Sequence, residues 1–191
     1  MSNRTNNLPV PFTFQMAVTT NAVPEQLGVK LVSTAIAFVN NGVDAPTITD
    51  SSSRFLKLGF QPNDRVTVTG AATAANNATF VIQTVVAGTL TLVPLSASTL
   101  VSENAGATVK LFAPKTIPDG VGMTVKAKYA NSGQIHLGDT SAKAASTSGG
   151  SFSLRNNEAI DLQINSTDQL WVDATVAGEG VEVNFEKNTQ S

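Results

Sequence analysis

The chain contains no cysteine, so disulfide bonds, thiolate metal ligands and cysteine nucleophiles are all excluded. This absence fits assembly in a reducing cytoplasm. Histidine occurs once, at His136, and a serine–histidine–aspartate relay would have to use it. One histidine without cysteine does not seed a metal site. The sequence therefore predicts no metal, no cofactor and no enzymatic activity.

Charge is also scarce. Charged residues make up 14% of the sequence, against about 25% in typical globular proteins. The 12 basic and 14 acidic residues give a net charge of −2. Nucleic-acid binding requires clustered positive charge, which is missing, so no nucleic-acid partner is expected. No window approaches the run of about 18 apolar residues that a membrane span needs. Residues 1–7 are polar, so no signal peptide is expected either.

What the chain does contain is alternating polar and apolar residues rich in Thr, Val, Ser, Ala and Asn. The clearest stretch is Asp64–Val93, in which Arg65–Thr69 and Thr89–Leu92 alternate and Phe80–Ile82 is apolar. Turns at Asn76–Asn77 and Ala87–Gly88 separate these runs. Period-two alternation interrupted by Gly and Asn is typical of an antiparallel meander, and the rest of the chain is similar. We therefore predict an all-β fold.

The chain is predicted to hold two small antiparallel β modules, the first barrel-like and the second a β-sandwich. Two prolines and a glycine mark a linker between them. The predicted segments are an extended N-terminal arm at 1–33, the first module at 34–112, the linker at 113–120, the sandwich at 121–187 and a tail at 188–191.

The second module predicts which residues face its core. Period-two alternation places Met123, Val125, Ala127 and Tyr129 on the inner face. His136 and the aspartates Asp161 and Asp173 then fall on outer faces. Paired carboxylates can act as acid and base or bind calcium, but no calcium-loop motif is present. Solvated strand faces are the favoured interpretation for all three residues.

Three aromatic residues are candidate interface anchors. Phe12 and Phe14 lie on one side of a segment that its prolines keep extended. They either fold back on their own core or dock on a neighbouring subunit, which a stiff segment does at little entropic cost. Trp171 is expected on the outer face of its strand. It is either an interface hot spot or is packed beneath a loop or against the other module.

Two sets of residues carry a family resemblance. The first module resembles a small β module of tailed-bacteriophage virion proteins, and the residues that carry this resemblance are Ile48–Ser51, Phe55, Gly59–Phe60, Asp64–Gly70, Asn77–Phe80 and Ala87–Leu92. The second is similar to β-sandwich modules of phage head and accessory proteins, and the residues concerned are Gly122–Ala127, Gly133–Gly138, Leu170–Ala174 and Gly178–Val181.

The resemblance implies a non-enzymatic virion protein. The leading hypothesis is a capsid decoration, or cement, protein that binds the outer head surface and bridges the major capsid protein. The expected form is a homo-oligomer such as a trimer, assembled in the host cytoplasm and located on the capsid surface, without a nucleic-acid or membrane partner. A tail, neck or fibre-attachment protein is the first alternative. A carbohydrate-binding adsorption module, motivated by Trp171, is the second.

Overall fold

A computed structural model describes residues 12–42, 44–146 and 152–187 of the chain. Its elements in chain order are β1 (Phe12–Ala17), β2 (Glu25–Gln26), β3 (Val29–Ser33), β4 (Ile36–Val39), β5 (Thr47–Asp50), α1 (Phe55–Leu58), β6 (Arg65–Thr69), β7 (Thr79–Val86), β8 (Thr89–Leu92), β9 (Val109–Ala113), β10 (Val121–Ala127), β11 (Ile135–Gly138), α2 (Ser141–Ala144), β12 (Phe152–Leu154), β13 (Ala159–Leu162), β14 (Trp171–Ala174) and β15 (Gly180–Lys187). Short 3₁₀ turns lie at Ala74–Asn76 and Thr167–Gln169. The named strands pair antiparallel, and the predicted all-β fold class is confirmed.

The chain divides into two compact units, and one of them is built from two chain segments. The inserted unit is Val29–Pro114, and the split unit combines the segment that ends at Gly28 with the segment that begins at Lys115. This division differs from the predicted segments. The described part of the predicted arm supplies β1 and β2 to the split unit and β3 to the inserted unit. The remainder of that arm and the predicted tail, 188–191, lie outside the described residues.

The inserted unit consists of one seven-stranded sheet in the order β3-β9-β6-β7-β8-β5-β4. In a flat sheet of this width the outer strands would lie about 29 Å apart, since neighbours are spaced by about 4.8 Å. Yet Ser33 ends β3 and Ile36 begins β4, and three residue steps span at most about 11 Å. The sheet must therefore curl, although within the described residues no ladder joins β3 to β4 and it is not a closed barrel.

Alternation along the strands gives this sheet one buried, apolar face. Val66, Phe80 and Leu90 are fully buried from three consecutive strands. Phe55 of α1 packs edge-on against Phe60 with ring centroids 5.6 Å apart, an arrangement that aromatic pairs favour. The short helix thus closes part of the core that the strands leave open.

The split unit has two four-stranded sheets in a sandwich-like arrangement. Their strand orders are β1-β15-β10-β13 and β12-β11-β14-β2. Every second residue of β10 is buried, and Val181, Val183 and Phe185 of β15 are buried in the same way. The second sheet contributes Leu137 and Val172. Two sheets that each bury one apolar face satisfy the requirement for a shared core.

Candidate functional site

Two loops meet at one end of the split unit. They carry exposed side chains, and hydrogen bonds hold their backbone. The loops are 128–134, between β10 and β11, and 175–179, between β14 and β15; we call them the loop end. The Gly180 carbonyl accepts hydrogen bonds from Lys128 N at 3.1 Å and from Asn131 Nδ2 at 2.9 Å. Asn131 Oδ1 in turn accepts from Gly180 N at 3.2 Å. The first strand residue of β15 is therefore the point to which loop 128–134 is tied.

Glu179 holds the two loops together. Its carboxylate is buried, and Oε1 accepts hydrogen bonds from Ser132 N, from Ser132 Oγ at 2.9 Å and from Gly133 N at 2.8 Å. Glycine at position 133 lets loop 175–179 lie close to loop 128–134. A Cβ at Gly133 would collide with Thr175 Oγ1 and lie 3.1 Å from Val176 Cγ2. One carboxylate oxygen thus takes three donors, and it holds the backbone of the loop at Ser132 and Gly133.

Two further segments reach the same end of the unit. Val18, which follows β1, donates from its N to the Glu179 carbonyl at 2.8 Å and accepts from Gly178 N at 2.9 Å. In the turn between β12 and β13, Asn157 N donates to the Ala127 carbonyl at 3.1 Å. Loops that cluster at the end of a rigid sandwich are the usual place for binding function.

The loop end contains one aromatic residue, Tyr129. The sequence predicted it on the inner face in line with Ala127, and that prediction is wrong. β10 ends at Ala127, the chain turns, and Tyr129 is 79% exposed. Val176 on the facing loop is also exposed. Tyrosine is frequent among interface hot spots because its ring offers a large apolar area and a polar hydroxyl. The sequence pattern did not indicate where β10 ends, because alternation alone does not show where strand pairing stops.

The predicted anchors Phe12 and Phe14 lie in an aromatic cluster inside the split unit. Phe14 is 4% exposed and Phe12 is half-buried, and their rings lie 6.1 Å and 5.8 Å from the Phe185 ring. The Lys115 ammonium sits 5.1 Å above the Phe12 ring, a cation–π arrangement. In its described part, this segment packs its aromatic rings into the core of the split unit.

Trp171 is half-buried. In β14 it stands opposite Gly138 of β11 on one side and Gln26 of β2 on the other. A Cβ on Gly138 would lie 2.5 Å from the backbone nitrogen of Ala144, so α2 packs directly against this strand. Opposed residues of antiparallel strands project to the same face, so α2 lies on the face of the sheet from which the indole projects.

His136 and Asp173, both predicted to face solvent, are buried, so this prediction is wrong. They are opposite each other in β11 and β14, and His136 is also opposite Ser153 of β12. Alternation places both residues on the outer face of the sheet as expected, but α2 and Ser146 cover that face. Ser146, just after α2, donates from its N to Asp173 Oδ2 at 2.7 Å. Asp161, by contrast, is exposed as predicted.

The Ser153–His136–Asp173 row does not have the geometry of an acyl-transfer relay. His136 Nδ1 is 3.0 Å from Ser153 Oγ, and among the described residues its buried Nε2 has no hydrogen-bond partner. Asp173 Oδ1 accepts a hydrogen bond from Ala174 N at 2.8 Å. Its other oxygen, Oδ2, accepts the hydrogen bond from Ser146 N. The carboxylate therefore fixes the backbone and does not orient the imidazole, as a relay requires.

Two carboxylates hold the loops of the inserted unit. Asp50 Oδ2 accepts from Arg54 N at 3.0 Å and Nε at 2.9 Å, and Arg54 Nη2 also donates to Ser33 Oγ at 2.6 Å. The hydrogen bonds from the Arg54 side chain lower the pKa of Asp50 and outweigh burial, which raises it.

Glu103 is the second carboxylate that holds backbone in the inserted unit. It accepts hydrogen bonds of 2.9 Å from Ala72 N, Thr73 N and Asn76 Nδ2. Burial raises the pKa of Glu103, but these hydrogen bonds, those from the backbone first, outweigh burial and lower it overall. Both carboxylates are thus engaged in holding backbone.

Within the described ranges, no group of three or more His, Asp or Glu side chains is placed to hold a metal ion. No helix in the part of the chain that the structure describes is long and apolar enough to span a bilayer. Comparison with known proteins gave no match to a protein family, to a curated protein or to a solved structure.

Proposed function

We propose that this chain is a virion structural protein of a tailed bacteriophage, and specifically a decoration protein of the head. The sequence resemblance motivates the class, and the loop end supports a binding role. There, exposed Tyr129 lies in a loop whose backbone is tied to Gly180 at Lys128 and to Glu179 at Ser132 and Gly133. A loop whose backbone is already held loses less entropy on docking, which is what a passive bridging protein needs.

The proposed mechanism is passive. Tyr129 and Val176 would bury their exposed surface against the major capsid protein at the outer face of the head. A ligand that binds only the assembled head stabilises it by mass action. A cyclic homo-oligomer, with a trimer as the expected form, would multiply modest contacts through avidity.

The location on the particle is the first test. Purified particles are labelled with antibody against this chain and imaged. Label distributed over the head supports decoration, whereas a single focus at one vertex supports the tail or neck alternative. Absence of label from purified particles would refute a virion role altogether.

The contribution to head stability is the second test. Heads stripped of the protein should release DNA at a lower temperature than complete heads, and adding purified protein back should restore the difference. Equal heat resistance with and without the protein would overturn the cement role.

The contact residues are tested by add-back of variants to stripped heads. Tyr129→Ala should weaken binding by roughly 10-fold or more, the usual size of a hot-spot loss. The matched control is Leu95→Ala in the inserted unit, where the side chain is 87% exposed. If Tyr129→Ala binds stripped heads as tightly as Leu95→Ala does, Tyr129 is not part of the interface.

A further inference from the structure

β1 is an edge strand whose place in the sheet depends on a single neighbour. In the described residues it pairs only with β15, in a register that runs from Phe12 opposite Phe185 to Ala17 opposite Gly180. The contact joins residues 173 positions apart for the first pair, or 185 minus 12. No local connection therefore dictates that this strand must come from the same chain.

The slot beside β15 is shaped for this strand. β1 brings Phe14 and Met16 into the core, where they are 4% and 3% exposed. A Cβ at Gly180 would collide with the Met16 carbonyl oxygen and lie 2.8 Å from Ala17 Cα, so the glycine leaves room for the β1 backbone. An empty slot would expose the Phe185 side of the core, which β1 covers in the register described.

The segment that follows β1 has the properties of a hinge. Residues 19–23 are exposed, and Ala22 has φ +59°, a left-handed conformation that disfavours residues with a Cβ. Beyond the hinge the chain is anchored again: Leu27 is fully buried and donates from its N to the Leu170 carbonyl at 2.8 Å. The left-handed residue thus lies between two held points, in a loop closed by a hydrogen bond of 3.0 Å from Thr19 N to Glu25 Oε1.

We infer that β1 is exchanged between copies of this chain, so that β1 of one copy fills the slot beside β15 of another. The exchanged and unexchanged forms share every contact of β1 and differ mainly in the hinge. Exchange relieves the strained turn at Ala22, and strained short hinges favour this form of association. The inference rests on the fold and holds whether or not the chain is a virion protein.

The absence of native cysteine makes a direct test possible. Gln15 and Glu182 are opposite each other in β1 and β15, with Gln15 Nε2 donating to Glu182 Oε1 at 3.3 Å. Opposed residues of antiparallel strands have Cα atoms about 4.5–5.5 Å apart, within the range a disulfide bridges. The variant Gln15→Cys/Glu182→Cys is oxidised and run on a non-reducing denaturing gel.

Exchange predicts that most of the oxidised protein migrates as a covalent dimer or larger oligomer. Monomer alone, with both thiols consumed, would show that β1 pairs within its own chain and would overturn the inference. Failure to form any disulfide would also overturn it. The control pair is Thr124→Cys/Asn184→Cys, opposed in β10 and β15 of one chain segment, which should give monomer only.

A second variant tests the role of the hinge. Ala22→Gly, made in the Gln15→Cys/Glu182→Cys background, removes the left-handed penalty. It should lower the ratio of intermolecular to intramolecular product about fivefold, equivalent to about 1 kcal/mol. Ser53→Gly, which relieves φ +54° at a site in the inserted unit, is the matched control and should leave the ratio unchanged. An equal response to both variants would exclude hinge strain as the cause.

Discussion

The carboxylate of Asp50 and the guanidinium of Arg54 make a two-pronged contact, with Oδ1 2.8 Å from Nη2 and Oδ2 2.9 Å from Nε. The Asp50 side chain is fully buried, and that of Arg54 is 33% exposed. Lys143 and Asp139 form an ion pair of the same sequence spacing at 2.7 Å, but both side chains are more than half exposed. The two pairs therefore offer a matched comparison of burial.

Replacing Arg54 by methionine should destabilise the chain by about 2–4 kcal/mol, because it leaves a buried carboxylate without its partner. Lys143→Met should change the free energy of unfolding by less than about 0.5 kcal/mol, as is usual for exposed pairs. Urea unfolding followed by circular dichroism measures both. Similar values for the two variants would contradict the structural importance of the buried pair.

Acid should destabilise the inserted unit. The pKa values of Asp50 and Glu103 are both lowered in the folded chain, so the folded state binds fewer protons than the unfolded state. This stabilisation is complete at pH values above the ordinary carboxyl pKa of about 4. It is lost as the pH falls through the lower pKa values that the two groups have in the folded chain. Unfolding free energy measured from pH 7 to pH 3 should therefore fall at the acid end.

The double variant Asp50→Asn/Glu103→Gln should show a flatter acid profile, although it is less stable at pH 7. Asp139→Asn serves as the control. The Lys143 hydrogen bond also lowers the pKa of Asp139, but this carboxylate is exposed and screened by solvent. An unchanged acid slope in the double variant would show that other groups dominate.

Removing the Glu179 carboxylate should loosen the loop end without unfolding the strands. In Glu179→Ala, the Ser132 and Gly133 amides lose their acceptor, and their hydrogen-exchange protection should fall by at least about 10-fold. Glu158→Ala, which removes an exposed acceptor of Arg155 N, is the control and should leave those two amides unchanged. Equal protection in wild type and Glu179→Ala would mean that water replaces the carboxylate fully.

A methyl group at Gly180 should displace β1. The added Cβ would meet backbone atoms of Met16 and Ala17, which cannot move aside as a flexible side chain would. We expect Gly180→Ala to cost about 2–3 kcal/mol, as overpacking does. Gly178→Ala, at φ +85° with open space around the Cβ, should cost only about 1 kcal/mol. Thermal unfolding compares them, and a smaller loss at Gly180 would contradict the described packing.

Local alternation predicted many of the strands. Arg65–Thr69 and Thr89–Leu92 are strands β6 and β8 with the bounds that the sequence indicated. Phe12 and Phe14 share one side of an extended segment, as predicted, and their rings lie 6.3 Å apart. These properties depend on a few neighbouring residues, which a sequence displays directly.

The failures concern information that local patterns lack. Alternation assigned His136 and Asp173 to the outer face but did not show that α2 and Ser146 cover it. Tyr129 lies two residues beyond the end of β10, and strand ends are set by the partner strand. The pairing of Phe12 with Phe185 spans nearly the whole chain, so no window of sequence contains both partners.

The insertion of residues 29–114 between the two segments of the split unit also sets an order of events during synthesis. β1 leaves the ribosome before its partner β15, which emerges only after more than 160 further residues, since Ala17 pairs with Gly180. At about 5–20 residues per second this delay is roughly 10–30 s. The inserted unit has all its strands once Ala113 has been added, whereas the apolar side of β1 has no β15 edge on its own chain to join until the delay ends. On a polysome, the first suitable edge that β1 meets can belong to a chain completed earlier.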